Sequence, residues 1–138
     1  MELADPELSV LLTDNEHIQS LNERWRGVDE PTDVLSFPLH EPEKPGELPD
    51  DVRALGDVVI SLEYAESLLD TDRHRHRVAE QLELAPEQLE WELLEEVVFL
   101  LIHGLLHLVG YDHAHKEDER RMKAAERRLW QAAHPGRA

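Results

Sequence analysis

Apolar positions at the start of the chain follow first a strand pattern and then a helix pattern. Residues 8–12 form a short apolar run that ends at a polar segment, which predicts a β-strand. Thr13 to Glu16 has the sequence of a helix capping box, and Ile18, Leu21 and Trp25 then fall on one helical face. Gly27 is expected to end this helix.

A long loop separates two further predicted strands. Val34 to Phe37, closed by Pro38, predicts the second strand, and Val58 to Ile60 predicts the third. The segment between them, residues 40–51, contains Pro42, Pro45, Gly46 and Pro49. We expect a loop of more than ordinary length there, which is a kind that often carries function.

Helical patterns dominate the rest of the chain. Ser61 is placed to cap a helix with apolar positions at Leu62, Ala65, Leu68 and Leu69. Pro86 suits the first turn of a long helix that carries the apolar run from Val97 to Val109. A final amphipathic helix is predicted from its apolar positions, which are Met122, Leu129, Trp130 and Ala133.

The order of these elements predicts the fold class. The polar segment Asp70 to Arg77 is expected to connect two helices, with His74 and His76 exposed in a loop or at a helix end. Neither an internal repeat nor a domain boundary is apparent. Residues 1–138 are therefore expected to form one α+β domain, in which a small mixed sheet is packed by helices.

Three histidines have the spacing of metal ligands. His103 and His107 are four positions apart in the apolar run, so in a helix both imidazoles project from one face. Gly110 is placed to end that helix in a left-handed cap, after which His113 can return to the same point. Three protein ligands and one position for water are typical of a catalytic zinc site. We therefore predict one Zn²⁺ per chain, held by His103, His107 and His113.

Each of these histidines, taken alone, has a simpler explanation as a core or surface residue with one hydrogen bond. For all three together a metal is the better explanation, because burying an unpaired imidazole costs about 1–3 kcal/mol. The spacing also matches the H-E-x-x-H-x-x-G-x-x-H pattern of metzincin proteases at every position but one. Gly104 occupies the position of the protease's glutamate base, so a peptidase would lack its base. Met122 is better explained as a core residue than as part of a Met-turn.

The segment from His103 to His113 resembles the H-G-x-L-H-L-x-G-Y-D-H signature of the YbeY family of bacterial endoribonucleases. Two other segments are similar to motifs of the same family. Residues 25–38 contain Trp25-Arg26-Gly27 and the run P-T-D-V-L-S-F-P, and residues 55–61 read L-G-D-V-V-I-S. The resemblance covers most of the chain, about residues 8–133.

This resemblance implies a zincin-like metal helix and a zinc-dependent endonuclease that is specific for single-stranded RNA. It implies a role in rRNA maturation, with processing of the 16S rRNA 3′ end, and in ribosome quality control. The implied partners are rRNA precursors and the small ribosomal subunit, in the cytoplasm.

The resemblance also assigns residues. His103 and Arg26 are implied to be catalytic, because the family's motif arginine falls on Arg26 and a guanidinium offers paired donors to phosphate oxygens. Without the resemblance, Arg26 is explained as a surface arginine favoured by the helix dipole. Asp112 is expected to orient a histidine from behind the metal ligands, and Tyr111 is explained equally well by packing.

The start of the chain departs from the family pattern. Members usually carry a further strand and helix ahead of the segment equivalent to residues 7–12, and this sequence begins only a few residues before that segment, so that either the start is displaced or the sheet lacks a strand. We therefore expect an exposed edge strand, which would favour pairing with another chain. Residues 70–77 also look like an addition between two helices.

The charge of the chain restricts how it can bind nucleic acid. Lys and Arg total 14 against 31 Asp and Glu, a formal net charge of −17, which argues against binding by bulk electrostatics. Contacts to RNA are expected to be local, with candidate cations at Arg24, Arg26 and Arg73 to Arg77. The cations of the last helix, Arg120, Arg121, Lys123, Arg127 and Arg128, are better explained as part of a solvated face. The acids interleaved with them on this face are Glu117, Asp118, Glu119 and Glu126.

Two absences in the sequence narrow the compartment. The chain has no cysteine, which excludes disulfides and thiolate metal sites and fits a reducing cytoplasm. No signal segment is apparent, and the run from Val97 to Val109 is too short to cross a bilayer. Neither a membrane nor DNA is expected as a partner.

Two alternatives to the endoribonuclease stay open at this point. A binding module on the ribosome would hold a structural metal, with Asp112 or His115 as a fourth ligand. A metal-dependent hydrolase of another substrate is the second. No general base is visible, so the attacking oxygen could come from water or from the 2′-hydroxyl of the RNA.

Overall fold

The computed structural model describes residues 6–42, 44–49 and 51–134. Glu43 and Asp50 of the predicted loop, and residues 1–5 and 135–138 of the predicted domain, lie outside the described residues. The elements in chain order are β1 (Glu7–Thr13), α1 (Asn15–Arg26), β2 (Val34–Pro38), β3 (Ala54–Ser61), α2 (Leu62–Leu69), α3 (Asp72–Leu82), a 3₁₀ turn (Pro86–Gln88), α4 (Leu93–Leu108) and α5 (Lys116–Ala133). The predicted α+β class is confirmed.

The sheet is mixed, with the strand order β1-β3-β2. β1 runs parallel to β3, and β2 runs antiparallel to it with Leu35 opposite Val59. Within the described residues β1 pairs with β3 alone, and its Val10, Leu11 and Leu12 are 42%, 45% and 49% exposed. The expected exposed edge strand is therefore present, while association with another chain stays a prediction.

Successive residues of β3 face opposite layers of the molecule, as the alternation of side chains along a strand requires. Val58 and Ile60 belong to the larger core, which α4 closes with α2, α3 and α5 around it. Val59 packs on the other side with Ile18 of α1 and Leu35 of β2. α4 is thus packed between the sheet and the helices α2 and α5.

Local signals explain two of the helix ends and correct a third. Ser61 caps α2, and Gly27 ends α1 in the left-handed region at φ 72°, both as predicted. The cap of α1 is Asp14, whose carboxylate accepts a hydrogen bond from the His17 backbone N–H at 2.9 Å. The prediction that Thr13 opens a capping box is therefore wrong by one residue.

The start of the long helix was also predicted wrongly. Pro86 lies in the separate 3₁₀ turn, and α4 begins at Leu93 behind a capping box formed by Glu92 and Glu95. The capping box satisfies two backbone N–H groups at the start of α4 through the side chains of Glu92 and Glu95. A proline side chain has no acceptor that could do the same. No helix of the described residues combines the length and the apolar character that crossing a bilayer requires.

The histidines of residues 70–77 do not share one environment. This segment opens α3, in which His76 is exposed as predicted but His74 is 6% exposed. His74 Nε2–H donates to the Glu96 carboxylate at 2.6 Å, and its Nδ1 accepts from Arg77 at 3.1 Å. Glu96 is fully buried on α4 and also accepts from the Trp91 indole at 2.8 Å. The prediction that His74 is exposed is therefore wrong. Its hydrogen-bond partner Glu96 lies on another helix, so the sequence around His74 does not reveal the contact that buries it.

Candidate metal centre

α4 presents two imidazoles to the same point. His103 and His107 lie one turn apart near its C-terminal end, with ring centroids 4.7 Å apart and the two Nε2 atoms 3.2 Å apart. Both are half-buried, because the helix packs on the sheet and leaves its end beside a cavity. The predicted projection from one helical face is therefore present.

A tight reversal brings in the third histidine. Gly110 has φ 101°, its N–H donates to the His107 carbonyl at 3.1 Å, and the Tyr111 N–H donates to the Leu106 carbonyl at 2.9 Å. These two bonds form a Schellman motif, which requires the left-handed residue that glycine supplies. After it the chain returns, and one ring nitrogen each of His103, His107 and His113 lies within 4.8 Å of the other two.

The ring nitrogens of His103 and His107 lie at the separation that a divalent metal requires, and one ring nitrogen of His113 lies within 4.8 Å of both. A tetrahedral ion with Zn–N bonds of about 2.0–2.1 Å requires nitrogens about 3.3 Å apart, close to the 3.2 Å between His103 and His107. Burial lowers the pKa of His107 below its usual 6.5, and the neighbouring His103 and His113 lower it further. This keeps the His107 imidazole neutral, which is the form that binds metal. Within the described part of the chain no fourth side chain joins the group, so neither Asp112 nor His115 is part of it.

Glu126 of α5 fixes the orientation of His103. It is 2% exposed, and its carboxylate accepts a hydrogen bond from His103 Nδ1 at 2.8 Å. With the proton on Nδ1, the lone pair of neutral His103 lies on Nε2, the atom that faces His107. Gln81 of α3 donates to the other oxygen of Glu126.

The carboxylate behind the histidines was expected to be Asp112. Its Oδ1 accepts from the backbone N–H of His113 at 2.7 Å, so the hydrogen bond reaches the main chain and not a ring. Sequence reasoning placed Glu126 among the solvated acids of the last helix. Met122 and Trp130, four positions before and after it, are both buried, and that spacing is the signal that was missed.

Gly104 packs directly on the sheet. A Cβ at this position would lie 2.7 Å from Val58 Cγ1 and 3.1 Å from Ser36 Oγ, so α4 approaches the sheet closely here. The Ser36 hydroxyl donates to the Gly104 carbonyl at 3.1 Å. The position next to the first histidine therefore faces the core and not the metal ligands, and no side chain fits there without movement.

Arg26 shares a cavity with the histidines. The cavity has a volume of about 820 Å³, and its walls include Arg26, His103, His107 and His113. Arg26 is exposed at the end of α1, where its guanidinium donates to Asn22 Oδ1 at 3.4 Å. Asn22 is 2% exposed and donates to the Glu30 carbonyl at 2.9 Å, which ties the helix end to the following loop. Sequence reasoning did not single out Asn22.

The long loop before β3 covers one side of the same cavity. His40, Glu41 and Pro42 contribute to its walls, and the Gly46 N–H donates to the Val109 carbonyl at the end of α4 at 2.8 Å. The predicted loop is therefore present, and it is anchored beside the three histidines.

Comparison with known proteins identifies the family. Residues 1–134 match the family model described as endoribonuclease YbeY. Proteins named endoribonuclease YbeY include one from Sulfurihydrogenibium sp., 43% identical over 119 residues, and one from Persephonella marina, 44% identical over 119 residues. Each alignment covers 86% of this chain and 64% of the relative, so the chain spans less than two thirds of their length.

Two more distant matches are similar over nearly the whole chain. The protein of the same name from Bradyrhizobium diazoefficiens is 35% identical over 135 residues, which are 98% of this chain and 63% of the relative. The solution structure of TM1509 from Thermotoga maritima is 26% identical, covers 97% of this chain and 80% of that one, and superposes with a TM-score of 0.39. The family match over residues 1–134 and the relatives at 35–44% identity show that this chain belongs to the YbeY family.

Proposed function

We propose that this protein is a metal-dependent endoribonuclease that cleaves single-stranded RNA. The observation that carries the proposal is one cavity that holds three convergent imidazoles and an exposed guanidinium. Phosphodiester cleavage requires both electrophilic activation and stabilisation of the negative charge that develops on the phosphate. Membership of a family whose relatives are named endoribonucleases supports RNA as the substrate.

The proposed metal is Zn²⁺, with His103, His107 and His113 as ligands. All the donors are imidazole nitrogens, which suit zinc, and three protein ligands are the usual number in catalytic zinc sites. When bound, the ion supplies a Lewis acid at the phosphate.

The residues around the ligands have separate tasks in this proposal. Glu126 holds His103 in one tautomer and one orientation, which preserves the geometry of the ligand set. Arg26 donates hydrogen bonds to the phosphate oxygens as their charge grows. Asp112 holds the backbone of the turn that returns His113. The long loop limits access of water on one side of the cavity.

The origin of the attacking oxygen can be determined from the products. Attack by the 2′-hydroxyl leaves a 2′,3′-cyclic phosphate, whereas attack by water leaves a simple phosphate on one product. Substrates with 2′-deoxyribose at the cleaved position separate the two routes, because only the first requires the hydroxyl.

We further propose that the substrates are rRNA precursors of the small ribosomal subunit, that cleavage includes the 16S rRNA 3′ end, and that the protein acts in the cytoplasm in ribosome quality control. Family membership supports this assignment. The net charge of −17 favours a substrate that is recognised at one local site over one held along its backbone.

The decisive experiment measures metal content and single-turnover cleavage of a labelled single-stranded RNA on the same preparations. Arg26→Ala is expected to slow cleavage by about 10²-fold with metal content unchanged, since the guanidinium acts in the transition state. His103→Ala is expected to lose both metal and cleavage. Arg120→Ala is the matched control, because this exposed arginine pairs with Glu117 outside the cavity.

Two outcomes would contradict the proposal. Cleavage that persists unchanged in both Arg26→Ala and His103→Ala comes from a contaminating nuclease. Tight metal binding without turnover in the wild type would instead assign the chain as a binding module with a structural metal.

A further inference from the structure

Trp25 is exposed where an aromatic side chain of its size is usually buried. Its relative exposure is 62%, whereas Trp91 and Trp130 are 8% and 5% exposed. On the same helix Ile18 is fully buried against the sheet. The apolar face of α1 thus continues past the edge of the core and presents an indole at the mouth of the cavity.

The exposed ring is held by neighbours on rigid elements. The half-buried Phe37 of β2 meets it edge to face, with ring centroids 6.3 Å apart and an interplanar angle of 69°. The guanidinium carbon of Arg24 lies 5.2 Å from its centroid, within the range of a cation–π contact. These contacts limit the rotamers of Trp25, so little side-chain entropy remains to be lost when a ligand packs on it.

The surroundings of Trp25 match one chemical class of ligand. The same cavity is lined by the three imidazoles and by Arg26, whose guanidinium can donate hydrogen bonds to an anion. Its volume of about 820 Å³ has room for a nucleotide unit beside the histidines. Unpaired bases stack readily on tryptophan, and arginines beside the ring suit the attached phosphate. A flat apolar ring next to a phosphate site is therefore arranged to take a base and its phosphate together.

We propose that Trp25 is a stacking site for an unpaired nucleobase of the substrate, next to the phosphate that Arg26 contacts. The inference rests on the proposed function and deepens it, because it gives a physical reason for preference for single strands. A base in a duplex is already stacked and paired, and presenting it to Trp25 would cost a few kcal/mol of unstacking. A base in a single strand is available without that cost.

The first test uses probes that cannot be cleaved. Trp91 and Trp130 are buried, so tryptophan fluorescence that changes on adding a small ligand reports on Trp25. Adenosine 5′-monophosphate is expected to quench this fluorescence, while ribose 5-phosphate, which has the phosphate but no base, leaves it unchanged. Trp25→Phe is expected to abolish the signal. Quenching by both probes, or by neither, overturns the stacking site.

The second test measures affinity and cleavage of a single-stranded RNA. Trp25→Ala is expected to weaken binding by roughly 5-fold to 100-fold, the range found for loss of one base–aromatic stack, and Trp25→Phe is expected to recover part of it. The preference for a single strand over a hairpin of the same sequence should shrink in Trp25→Ala. Leu94→Ala is the matched control, since Leu94 is 70% exposed and does not line the cavity.

The outcomes separate this inference from the proposed function. Base-specific quenching in a protein that never cleaves RNA supports the stacking site and overturns the nuclease. Normal cleavage with unchanged affinity in Trp25→Ala overturns the stacking site and leaves the nuclease standing. Fluorescence of Trp25 that changes with protein concentration alone, without nucleotide, assigns the ring to a contact between copies and also overturns the inference.

Discussion

At the scale of single residues, His103 is oriented by a buried carboxylate rather than by its own helix. Glu126 reaches it from α5, and Gln81 of α3 holds the other oxygen of that carboxylate. The imidazole therefore depends on two helices that carry none of the three proposed metal ligands. In water such a pair would contribute little, but Glu126 is 2% exposed, so loss of His103 as its donor would leave a buried carboxylate with one partner fewer.

Replacing Glu126 should weaken metal binding while all three ligands stay in place. We expect Glu126→Ala to lower the affinity for Zn²⁺ by about 10-fold to 100-fold, because His103 loses the acceptor that fixes its tautomer. Glu126→Gln keeps an acceptor oxygen and should lose less. The measurement is competition with a chelator, with circular dichroism as the check on folding.

Glu117→Gln is the control for this prediction, since Glu117 is an exposed acid on the same helix. Equal affinity in the wild type and Glu126→Ala would show that the ring needs no support from α5.

Residue-scale features divide into those that sequence patterns reveal and those that they hide. The three histidines converge as their spacing predicts, because a helix and one glycine turn place them. The polar pattern around His74 and Glu126 predicts that both are exposed. Each nevertheless continues an apolar helical face and is buried in the structure. Their burial depends on partners that are 22 and 23 positions away, a kind of contact that local patterns do not encode.

At the scale of elements, α3 docks on α4 through a polar contact inside the core. His74 bridges the two helices by its bond to the buried Glu96. Removing one partner of such a pair leaves the other buried without compensation, which costs more than the pair contributes.

His74 and His76 offer a direct comparison within one helix. We expect His74→Ala to lower the free energy of unfolding by about 3 kcal/mol, whereas His76→Ala should change it by less than about 0.5 kcal/mol, since His76 is exposed. Urea denaturation followed by circular dichroism measures both. Similar values for the two variants would contradict the assigned role of the His74–Glu96 bond.

The contact between α4 and the sheet makes a different prediction, at Gly104. Alanine favours a helix over glycine by about 1 kcal/mol, but a Cβ 2.7 Å from Val58 Cγ1 overpacks the core at a cost of about 1–3 kcal/mol. We expect the clash to win, so that Gly104→Ala lowers the free energy of unfolding.

Val58→Ala provides the test of that mechanism. In its background both Val58 methyl groups are gone and Ser36 Oγ, at 3.1 Å, remains, so adding Gly104→Ala should cost less than in the wild type, and the difference is the coupling energy of the pair. Additive effects would mean that the cost of Gly104→Ala arises elsewhere.

Elements were predicted best where one local signal decides them. Ser61 begins α2 with a side-chain cap, and Gly27 ends α1 because glycine readily adopts a positive φ. The prediction of β2 was correct to within one residue, since the strand also includes Pro38. The start of α4 was missed because two signals competed, and the Glu92 and Glu95 box prevailed over Pro86. The central position of β3 could not be read from its sequence, since strand order is set by packing over the whole chain.

At the scale of the whole molecule, the negative net charge of the chain contrasts with the positive charge of Arg26 in the cavity. The chain has a net charge of −17, yet the cavity contains an exposed arginine that we assign to phosphate. Several exposed cations of α5 are paired within the chain, as Arg121 is with Glu117 and Lys123 with Glu119. Contact with RNA should therefore be confined to few phosphates.

The salt dependence of RNA affinity measures that number. Each neutralised phosphate of a single strand contributes about 0.7 to the slope of log affinity against log salt, so a slope of about −1 to −2 is expected. Arg26→Ala should reduce the slope by about 0.7, and Arg120→Ala should leave it unchanged. A steep slope that neither variant alters would indicate a broad electrostatic surface instead.

The position of Glu126 in α5 also bears on how the protein is made. Synthesis runs from the N-terminus, so His103, His107 and His113 are incorporated before the carboxylate that orients His103. A nascent chain can thus hold every proposed metal donor and still lack the hydrogen bond to His103, which forms when α5 docks on α4. Translation that stops within α5 before Glu126 would yield a protein with all three histidines but without the carboxylate that orients His103.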